Sequence, residues 1–362
     1  GDWSSDVCSS DLMKPLRYRG SKLFRYRILL ALLVGKPIRI EDIRAMDREP
    51  GISDFEASLL RLVDKVTNGT TVEINHTGTS VYLRPGILTG GKFKHDCGKS
   101  RGVGYFIEFL ILLAPFCKNP IEASLLGITN SELDHSVDAI RLAVLPQLEY
   151  LGLDPSTTSL VIDSRGWAPH GGGKVTLTLP CARQLQSFNF TDPGMVKCLR
   201  GVCYSSRCPP VLVQGLVSEC RRQWQEYCDD IHIATDVSGG GLSPGYGLTL
   251  VAELTSGSRL QVSGGGKDAA MQCWRRLQSE IVGAGCVASS LVPMFIVLMA
   301  VSPQEVSSLA VGPLSTQAVE TLRLVKHLLG VTFRIEKKDS ESPSVTLTCM
   351  GAGLKNLAKK VT

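Results

Sequence analysis

Two glycine runs carry residues that could bind phosphate. Residues 264–266 are glycines followed by Lys267, the order in which a nucleotide-binding loop supplies backbone N–H groups and then a cation. Such a loop needs serine or threonine next, to reach magnesium, and Asp268 stands there instead. The second run, glycines 171–173 after His170, joins two predicted strands, whereas a dinucleotide fingerprint opens a helix. Both runs are therefore interpreted as flexible turns.

Three evenly spaced cysteines, Cys198, Cys203 and Cys208, could be considered as zinc ligands. A compact zinc site needs a Cys-x-x-Cys pair or a nearby histidine, and neither accompanies them. Since no secretion signal is recognisable, we expect the twelve cysteines to be reduced thiols, and we predict no metal and no cofactor. A cysteine nucleophile would need a base. The six scattered histidines leave that chemistry open without supporting it.

A cluster of cations near the start of the chain could bind RNA or another anion. It contains Arg17, Arg19, Lys22, Arg25 and Arg27, with Tyr18 and Tyr26 between them. Cations that meet phosphates, beside rings that stack on bases, are typical of RNA-binding surfaces. A solvated helix start with arginine stems lying along it would give the same pattern. Both interpretations remain open from the residues alone.

The elements that must position these residues recur along the chain. Residues 101–179 predict the order helix, strand, helix, strand, strand, from helical and alternating apolar spacing. The same order is predicted over 22–83 and again over 286–349. Three such units suggest similar layers packed around a shared centre. Residues 185–279 break the repeat with strands and helices of their own.

The predicted architecture is therefore α/β, with three repeated helix-covered small β-sheet units forming the main domain and a smaller inserted α/β module. We place the first two units at 13–184, the inserted module at 185–279 and the third unit at 280–362. Residues 1–12 precede Met13 and share no pattern with the rest, so we expect them to be extraneous or disordered.

The composition is that of a soluble globular protein, with 43% hydrophobic and 20% charged residues and a mild net charge of +5. The longest apolar runs, 106–116 and 291–301, are too short or too interrupted to cross a bilayer. We therefore predict no membrane partner.

Several dispersed motifs, taken together and in order, resemble the RNA 3'-terminal phosphate cyclase superfamily, and more closely its cyclase-like, ribosome-biogenesis branch. They are PGISDFEAS at 50–58, RPGILTGG at 84–91, HDC at 95–97, the hairpin 165–173, TDPG at 191–194, SPGYGL at 243–248 and VGPLS at 311–315. The resemblance extends from Met13 to Thr362.

The resemblance also implies where the chemistry of a cyclase would lie. Cyclases are adenylylated on a histidine at the start of the third unit's first helix, and they then activate an RNA 3'-phosphate for attack by the neighbouring hydroxyl. Here that place falls at or beside Ala288, and no histidine occurs between His232 and His327. The acidic, glycine-rich entrance of cyclases, Glu-Gly-Gly-Gly-Gln, is replaced by RGSKLF at 19–24. We therefore expect a protein that is not an enzyme.

The function implied by the resemblance is that of a non-catalytic factor in nucleolar pre-rRNA processing and small (40S) ribosomal subunit biogenesis. Its implied partner is a large GTPase of the small-subunit processome, and direct contact with pre-rRNA remains open. Arg323 and Lys326 match the arginine and lysine with which this branch binds that GTPase. An ATP-dependent, histidine-adenylylated RNA 3'-terminal phosphate cyclase and a pre-rRNA endonuclease are the alternatives.

The helix that carries these two cations is predicted over 316–329. Its inward stripe is expected to be Val319, Leu322, Val325 and Leu329, because these residues recur at three- and four-residue steps.

Overall fold

A four-stranded sheet covered on one face by two helices occurs three times in the chain. The computed structural model describes residues 14–238, 240–337 and 343–358, so the expectation for residues 1–12 lies outside the described residues. In each unit the first strand pairs in parallel with the second, the fourth strand pairs antiparallel with the second, and the third lies at the edge beside the fourth. The predicted α/β fold class is confirmed.

The first two units follow each other directly. The first has strands Leu16–Arg19, Ile38–Glu41, Thr71–Ile74 and Val81–Arg84 and helices Phe24–Val34 and Asp54–Val66. The second has strands Gly90–Asp96, Asn119–Gly127, Ser159–Ser164 and Gly173–Leu179, the helix Val103–Leu113 and a helical segment at 137–151 with one π-type turn, Ile140–Val144. A two-stranded ribbon, Thr67–Asn68 with Ile87–Leu88, links them.

The third unit is divided by the inserted module. Its strands are Asn189–Phe190, Val306–Val311, Arg334–Lys337 and Val345–Met350, and its helices are Val292–Val301, after a short turn Ser289–Leu291, and Thr316–Leu329. The module has strands Val196–Ser206, Ile231–Ser238, Gly245–Leu254 and Arg259–Gly265 and helices Pro210–Trp224 and Ala269–Val282.

Each unit begins with a strand that the sequence pattern did not predict. Leu16–Arg19 and Gly90–Asp96 start the first two units, and each pairs in parallel with the following strand. In the third unit this strand is Asn189–Phe190, which pairs with Val306–Val311. The boundary placed at 185 is therefore corrected: the insertion falls between the first strand and the first helix of the third unit.

The core shared by the three units forms around two helices that are buried on every side and apolar apart from Glu108. All residues of Val103–Leu113 and of Val292–Val301 are buried, and the first of these helices packs against both the second and Phe24–Val34. Such helices have no polar stripe because neighbours cover each face. The inserted module has a separate core, built on one face of its sheet beneath its two helices. Among the described residues, no helix is long and apolar enough to cross a membrane.

A buried arginine joins the second unit to the inserted module. Arg165 is 1% exposed, and its guanidinium donates to both carboxylate oxygens of Asp138, at 2.7 and 3.1 Å. Its Nε donates to Asp236 of the module at 2.8 Å, and its guanidinium lies 4.5 Å from the centre of the Tyr204 ring. The Asp138 carboxylate is fully buried, so this ion pair is shielded from solvent.

A second connection depends on a proline inside the helical segment of the second unit. Pro146 has no N–H, so it cannot donate to the carbonyl one helical turn earlier. That carbonyl belongs to Leu142, and it accepts a hydrogen bond from Arg259 of the inserted module at 2.6 Å. The segment begins at Ser136, whose hydroxyl accepts from the Ala139 N–H; Asp134, the residue expected to cap it, instead binds Arg101.

We expect Asp138→Asn to destabilise the protein by about 3–5 kcal/mol, because removing one member of a buried pair leaves the other charge uncompensated. The matched control is Asp163→Asn, which disrupts the more exposed pair with Lys174 (3.5 Å) and should cost about 1 kcal/mol or less. Urea unfolding of both variants measures the difference. Equal losses of stability would show that Arg165 does not depend on Asp138.

Candidate functional site

The structure divides the amino-terminal cluster of cations into three environments. Arg17 and Arg19 are exposed on the first strand, and Lys22 forms an exposed ion pair with Glu320 at 2.9 Å. Arg27 is half-buried, with its guanidinium 5.1 Å from the centre of the Tyr18 ring. Arg25 is only 8% exposed. The expectation of one continuous basic edge is therefore wrong for Arg25, which is part of the interior.

A trough runs along the junction of the first unit, the second unit, the third unit and the inserted module. It consists of three consecutive cavities of about 490, 470 and 510 Å³, and Arg101 lines all three. The first cavity lies at the entrance formed by residues 21–26, the second reaches Ser289 and Ser290, and the third is lined by glycines 264–266. We call these the entrance, middle and far cavities.

The floor of the entrance and middle cavities is a buried ion pair. The Arg25 guanidinium lies 2.6 Å from the Glu108 carboxylate, and it also donates to the Tyr105 carbonyl at 2.8 Å. The Tyr26 hydroxyl donates to the other Glu108 oxygen. Burial, together with the Glu108 charge, raises the pKa of Tyr26 well above its ordinary value, so the hydroxyl keeps its proton. Burial is the largest single influence and would lower the pKa of Arg25, but Glu108, Tyr26, Tyr105 and Asp134 together outweigh it and the pKa rises.

Arg101 is held where the three cavities meet. Its Nε and Nη2 donate to the Asp134 carboxylate at 2.9 and 2.5 Å, a two-pronged geometry that fixes the guanidinium plane. The same guanidinium lies 5.0 Å from the centre of the Phe55 ring and 4.8 Å from that of Tyr105. Both its charge and its orientation are therefore determined by the protein, without any ligand.

The middle cavity brings together residues that are far apart in sequence. His135 lies 4.0 Å from Glu108, and Gln261 of the inserted module contacts both the His135 ring nitrogen, at 3.2 Å, and the Ser290 hydroxyl, at 3.3 Å. Burial lowers the pKa of His135, although the Glu108 charge opposes that shift. Sequence reasoning missed His135. The signal available in the sequence was the position of His135 next to Asp134, in a loop that precedes a helix.

Ala288 lies directly before the segment that closes the middle cavity. Its side chain is fully buried, and Ser289–Leu291 follows it as the turn that opens the helix Val292–Val301. The Ser289 N–H and hydroxyl both donate to Glu280, at 2.8 and 2.5 Å. The serine is therefore engaged by an acidic residue of the inserted module, and the alanine side chain offers no polar atom to the cavity.

The far cavity contains the glycine run that resembles a phosphate loop. Gly264 and Gly265 end the strand Arg259–Gly265, and Gly266 begins the turn that leads into the helix Ala269–Val282. No side chain caps that helix at Asp268. The other run connects the strands Ser159–Ser164 and Gly173–Leu179, as expected. Trp167, in that connection, lines the far cavity opposite the glycines.

The helix Thr316–Leu329 has the predicted bounds but a different inward face. Its buried residues are Ala318, Thr321, Leu324, Val325 and Leu328. Of the four residues expected to face inward, only Val325 is fully buried, while Leu322 and Leu329 are partly buried and pack against the edge of the core. Arg323 and Lys326 are exposed on the opposite side, beside His327, whose Nδ1 lies 2.7 Å from the Tyr18 hydroxyl.

The His95 motif belongs to the core of the structure rather than to the trough. Ser58 donates its hydroxyl hydrogen to the Asp96 carbonyl at 3.0 Å, so the His95 Nε2, 3.0 Å from the same hydroxyl, must be the donor of its contact. Within the described residues, the buried Nδ1 has no hydrogen-bond partner. Burial, aided by the Lys65 charge, lowers the pKa of His95 to about 4.

The cysteines considered as zinc ligands are separated by the fold. Cys198 and Cys203 are buried along the strand Val196–Ser206, and the Cys198 thiol donates to Glu253 at 3.3 Å. In the parts of the chain that the structure describes, no group of three or more His, Cys, Asp or Glu side chains is arranged to hold a metal ion.

The trough is therefore a preorganised polar surface whose strongest cations already have carboxylate partners. It can position a ligand by hydrogen bonds from Arg101, Gln261 and the serines of the middle cavity. The arrangement provides one buried imidazole, His135, but no nucleophile at the Ala288 position.

Comparisons with known proteins agree over almost the whole chain. The family described as RNA 3'-terminal phosphate cyclase matches residues 16–335. The RNA 3'-terminal phosphate cyclase-like protein of Homo sapiens is 41% identical over 363 residues, covering 95% of this chain and 97% of that protein. The probable cyclase-like protein of Dictyostelium discoideum is 38% identical, with 95% and 99% covered. The rRNA processing protein rcl1 of Schizosaccharomyces pombe is 36% identical, with 95% and 98% covered.

The buried His95 predicts a pH dependence of stability. Its folded pKa of about 4 lies below the ordinary 6.5, so the folded state binds fewer protons than the unfolded state. Its contribution is present above pH 6.5 and is lost as the pH falls towards 4. From about pH 7 to about pH 5 we expect this residue to lower the free energy of unfolding by about 2 kcal/mol.

Urea unfolding of the wild type and of His95→Gln at the two pH values isolates the contribution of His95 to the free energy of unfolding. Glutamine can still donate to Ser58 but does not titrate, so the variant should lose less stability on acidification. An identical loss in both proteins would show that His95 is not the titrating group. His135, whose pKa is also lowered, contributes in the same direction to both.

Proposed function

The chain belongs to the RNA 3'-terminal phosphate cyclase family, and we propose that it is a member without cyclase activity that acts in rRNA processing. The specific role proposed is in maturation of 18S rRNA and biogenesis of the small (40S) ribosomal subunit, in the nucleolus. The similarity to a protein named for rRNA processing, over 95% of this chain, supports the role in rRNA processing. The finer role follows the resemblance to the ribosome-biogenesis branch.

The observation that carries the non-catalytic part of the proposal is the environment of Ala288. A cyclase needs an imidazole there to form a labile phosphoramidate with AMP. The alanine is fully buried, and the next residue, Ser289, is bound to Glu280 through both its N–H and its hydroxyl. A carboxylate held at this point would also repel the phosphate of an incoming nucleotide.

The rival, a cyclase that uses ATP, would require a substitute nucleophile in the middle cavity. His135 is the histidine that lines this cavity, and it lies within contact of Gln261 and near Glu108. Its side chain is 14% exposed, which limits the approach of a phosphorus atom. Any adenylylation of this protein would therefore have to depend on His135, which makes the rival testable.

We expect no covalent label when the purified protein is incubated with ATP labelled at the α-phosphate, because the cyclase nucleophile is absent. The measurement is retention of label through denaturing electrophoresis, with an authentic cyclase of the family as the positive control. An acid-labile label on this protein, lost in His135→Asn, would overturn the proposal. It would also identify the substitute nucleophile.

The proposed partner is a large GTPase of the small-subunit processome, bound through Arg323 and Lys326. Both side chains are exposed on one face of the helix Thr316–Leu329. Within the described residues neither forms an ion pair, so both charges are available to an acidic partner. The inner face of the same helix is packed against the core, which holds the two cations at a fixed spacing.

The alternative explanation for Arg323 and Lys326 is local. Cations near a helix carboxyl terminus interact favourably with the helix dipole, by about 0.3–1 kcal/mol. The chain offers a matched control for this effect: Arg221 and Arg222 are exposed in the last turn of the helix Pro210–Trp224, in the inserted module. Both pairs of cations should contribute similarly to stability, whereas only Arg323 and Lys326 are proposed to bind the GTPase.

We expect Arg323→Ala with Lys326→Ala to abolish recovery of the GTPase and of 18S precursor RNA when tagged protein is captured from nuclear extract. Losing charged groups at a desolvated interface typically costs about 2–5 kcal/mol. Mass spectrometry measures the GTPase, hybridisation measures the precursor, and thermal unfolding verifies the fold. Arg221→Ala with Arg222→Ala should behave as the wild type. Normal recovery by the folded Arg323, Lys326 variant would remove this helix from the interface.

A further inference from the structure

The outer face of the first unit's sheet differs in chemistry from the equivalent faces of the other two units. Strand pairing places Arg17, Arg39, Tyr82 and Glu73 in one row across all four strands. The alternating residues on the other side, such as Ile38, Ile40 and Leu83, are buried beneath the helices. None of the four residues in the row is buried, so this row is open to solvent.

Neighbouring positions extend the same open face. Arg19 and Glu41 are paired on the first two strands, and Arg84 is paired with Thr71 on the last two. The face therefore carries four arginines against two glutamates. Adjacent strands lie about 4.8 Å apart, so the arginines, which lie on three adjacent strands, are distributed over a surface about 10 Å wide.

The arginines on this face are weakly neutralised by the protein. Arg17 lies 3.9 Å from Glu41 and Arg19 lies 3.6 Å from Asp42, with both arginine side chains more than 70% exposed. Exposed pairs of this kind contribute little. Within the part of the chain that the structure describes, Arg39 and Arg84 form no ion pair with a carboxylate. Most of the positive charge is therefore available to an external anion.

Tyr82 lies in the middle of the arginines. The Arg39 guanidinium lies 5.3 Å from the centre of the Tyr82 ring, which holds an aromatic ring and a planar cation together on an open sheet. Bases of a single strand stack on aromatic rings and on guanidinium planes, while their phosphates pair with the surrounding cations. An acidic protein segment would use the charges but would have no use for the stacking surface.

The corresponding face of the second unit is an internal comparison. It carries three lysines, Lys92, Lys94 and Lys174, against three acids, Asp96, Glu122 and Asp163. Lys92 and Lys174 are paired with Glu122 and Asp163, at 3.2 and 3.5 Å. On the third unit Arg334 is paired with Glu336 at 2.5 Å. The same architecture is thus electrically balanced there, and the excess of arginine is specific to the first unit.

We propose that the outer face of the first sheet, formed by Arg17, Arg39, Tyr82 and Arg84, binds single-stranded RNA. The phosphates contact the arginines, and a base stacks on Tyr82 beside Arg39. This surface retains Arg17 from the cluster recognised in the sequence and excludes the buried Arg25. It deepens the proposed role in rRNA processing by giving the protein its own RNA contact. Binding by the purified chain is nevertheless independent of that role.

The test is fluorescence anisotropy of a labelled single-stranded oligouridylate with the purified full chain at several salt concentrations. The triple variant Arg17→Gln, Arg39→Gln, Arg84→Gln removes three phosphate contacts. The slope of log affinity against log salt should therefore fall by about 2, since each contact contributes about 0.7. Tyr82→Leu should weaken binding about tenfold without changing the salt slope, because it removes stacking only.

The matched control is Lys92→Gln, Lys94→Gln, Lys174→Gln, which removes the same net charge from the balanced face of the second unit. It should bind as the wild type, and circular dichroism should show that all variants are folded. An equal loss of affinity in both triple variants would overturn the proposal, since net charge alone would explain binding. Equal competition by polyglutamate, with no effect of Tyr82→Leu, would also overturn it and assign the face to acidic protein.

The outcomes separate this inference from the proposed function. If RNA binding maps to the first sheet but the chain recovers no GTPase or 18S precursor from nuclear extract, the proposed function fails and the RNA surface stands. If the GTPase and precursor are recovered while the triple arginine variant binds oligouridylate normally, the RNA surface fails and the function stands.

Discussion

The ion pair between Arg25 and Glu108 is the constraint around which the rest of the structure is arranged. Each charge lies within a helix whose other residues are mostly apolar, and each helix is packed in the shared core. Neither charge could be buried alone, because desolvating a single ion costs several kcal/mol. The first helix of unit one must therefore meet the first helix of unit two at this point. Tyr26 and the Tyr105 carbonyl add hydrogen bonds to the pair, while the buried Arg25 Nε has no hydrogen-bond partner within the described residues.

The inserted module turns this internal junction into a trough. A three-unit core alone would leave one side of the Arg25 and Glu108 junction facing solvent. Arg165 of the second unit binds Asp236 of the module, and Arg259 of the module binds the Leu142 carbonyl of the second unit. Gln261 then reaches His135 from the module's sheet. The insertion point after Asn189–Phe190 explains how this is achieved, since the chain leaves the third sheet after one strand and returns beside Glu280 and Ala288.

The three repeated units could be recognised from the sequence because apolar residues recur at regular spacing in their helices and longer strands. The first strand of each unit was not predicted, because these strands are short or rich in glycine and polar residues. They are defined only by their parallel pairing with the next strand. Arg25 was assigned to the surface because charges usually are exposed. A signal was nevertheless present: Arg25 and Glu108 each lie in a helix whose other residues are mostly apolar, and opposite charges in such helices require a buried partner.

The residues of the candidate site depend on more than local patterns. The position at Ala288 came from the resemblance to the cyclases, and the structure places this residue directly before the turn Ser289–Leu291 and the helix Val292–Val301. The inward face of the last helix depends on what packs against it, so Ala318 and Thr321 are buried at its centre while Leu322 and Leu329 of the expected stripe are only partly buried. His135 and Gln261 are 126 residues apart. Their contact forms only because the inserted module packs against the second unit. The local periodicity of the sequence does not predict that packing.

The polar residues of the trough are required by the fold itself. Ala288 is fully buried and uncharged, so the trough needs no polar side chain at that position to be stable. Replacing Arg25 or Glu108 alone would leave a buried ion without its partner, at about 3–5 kcal/mol, a large part of the stability of an ordinary domain. The ion pairs of the trough are thus retained for the fold even where they are not required for chemistry. A polar trough is therefore weak evidence of catalysis in this family, whereas the exposed arginines of the first sheet stabilise little and need an explanation outside the fold.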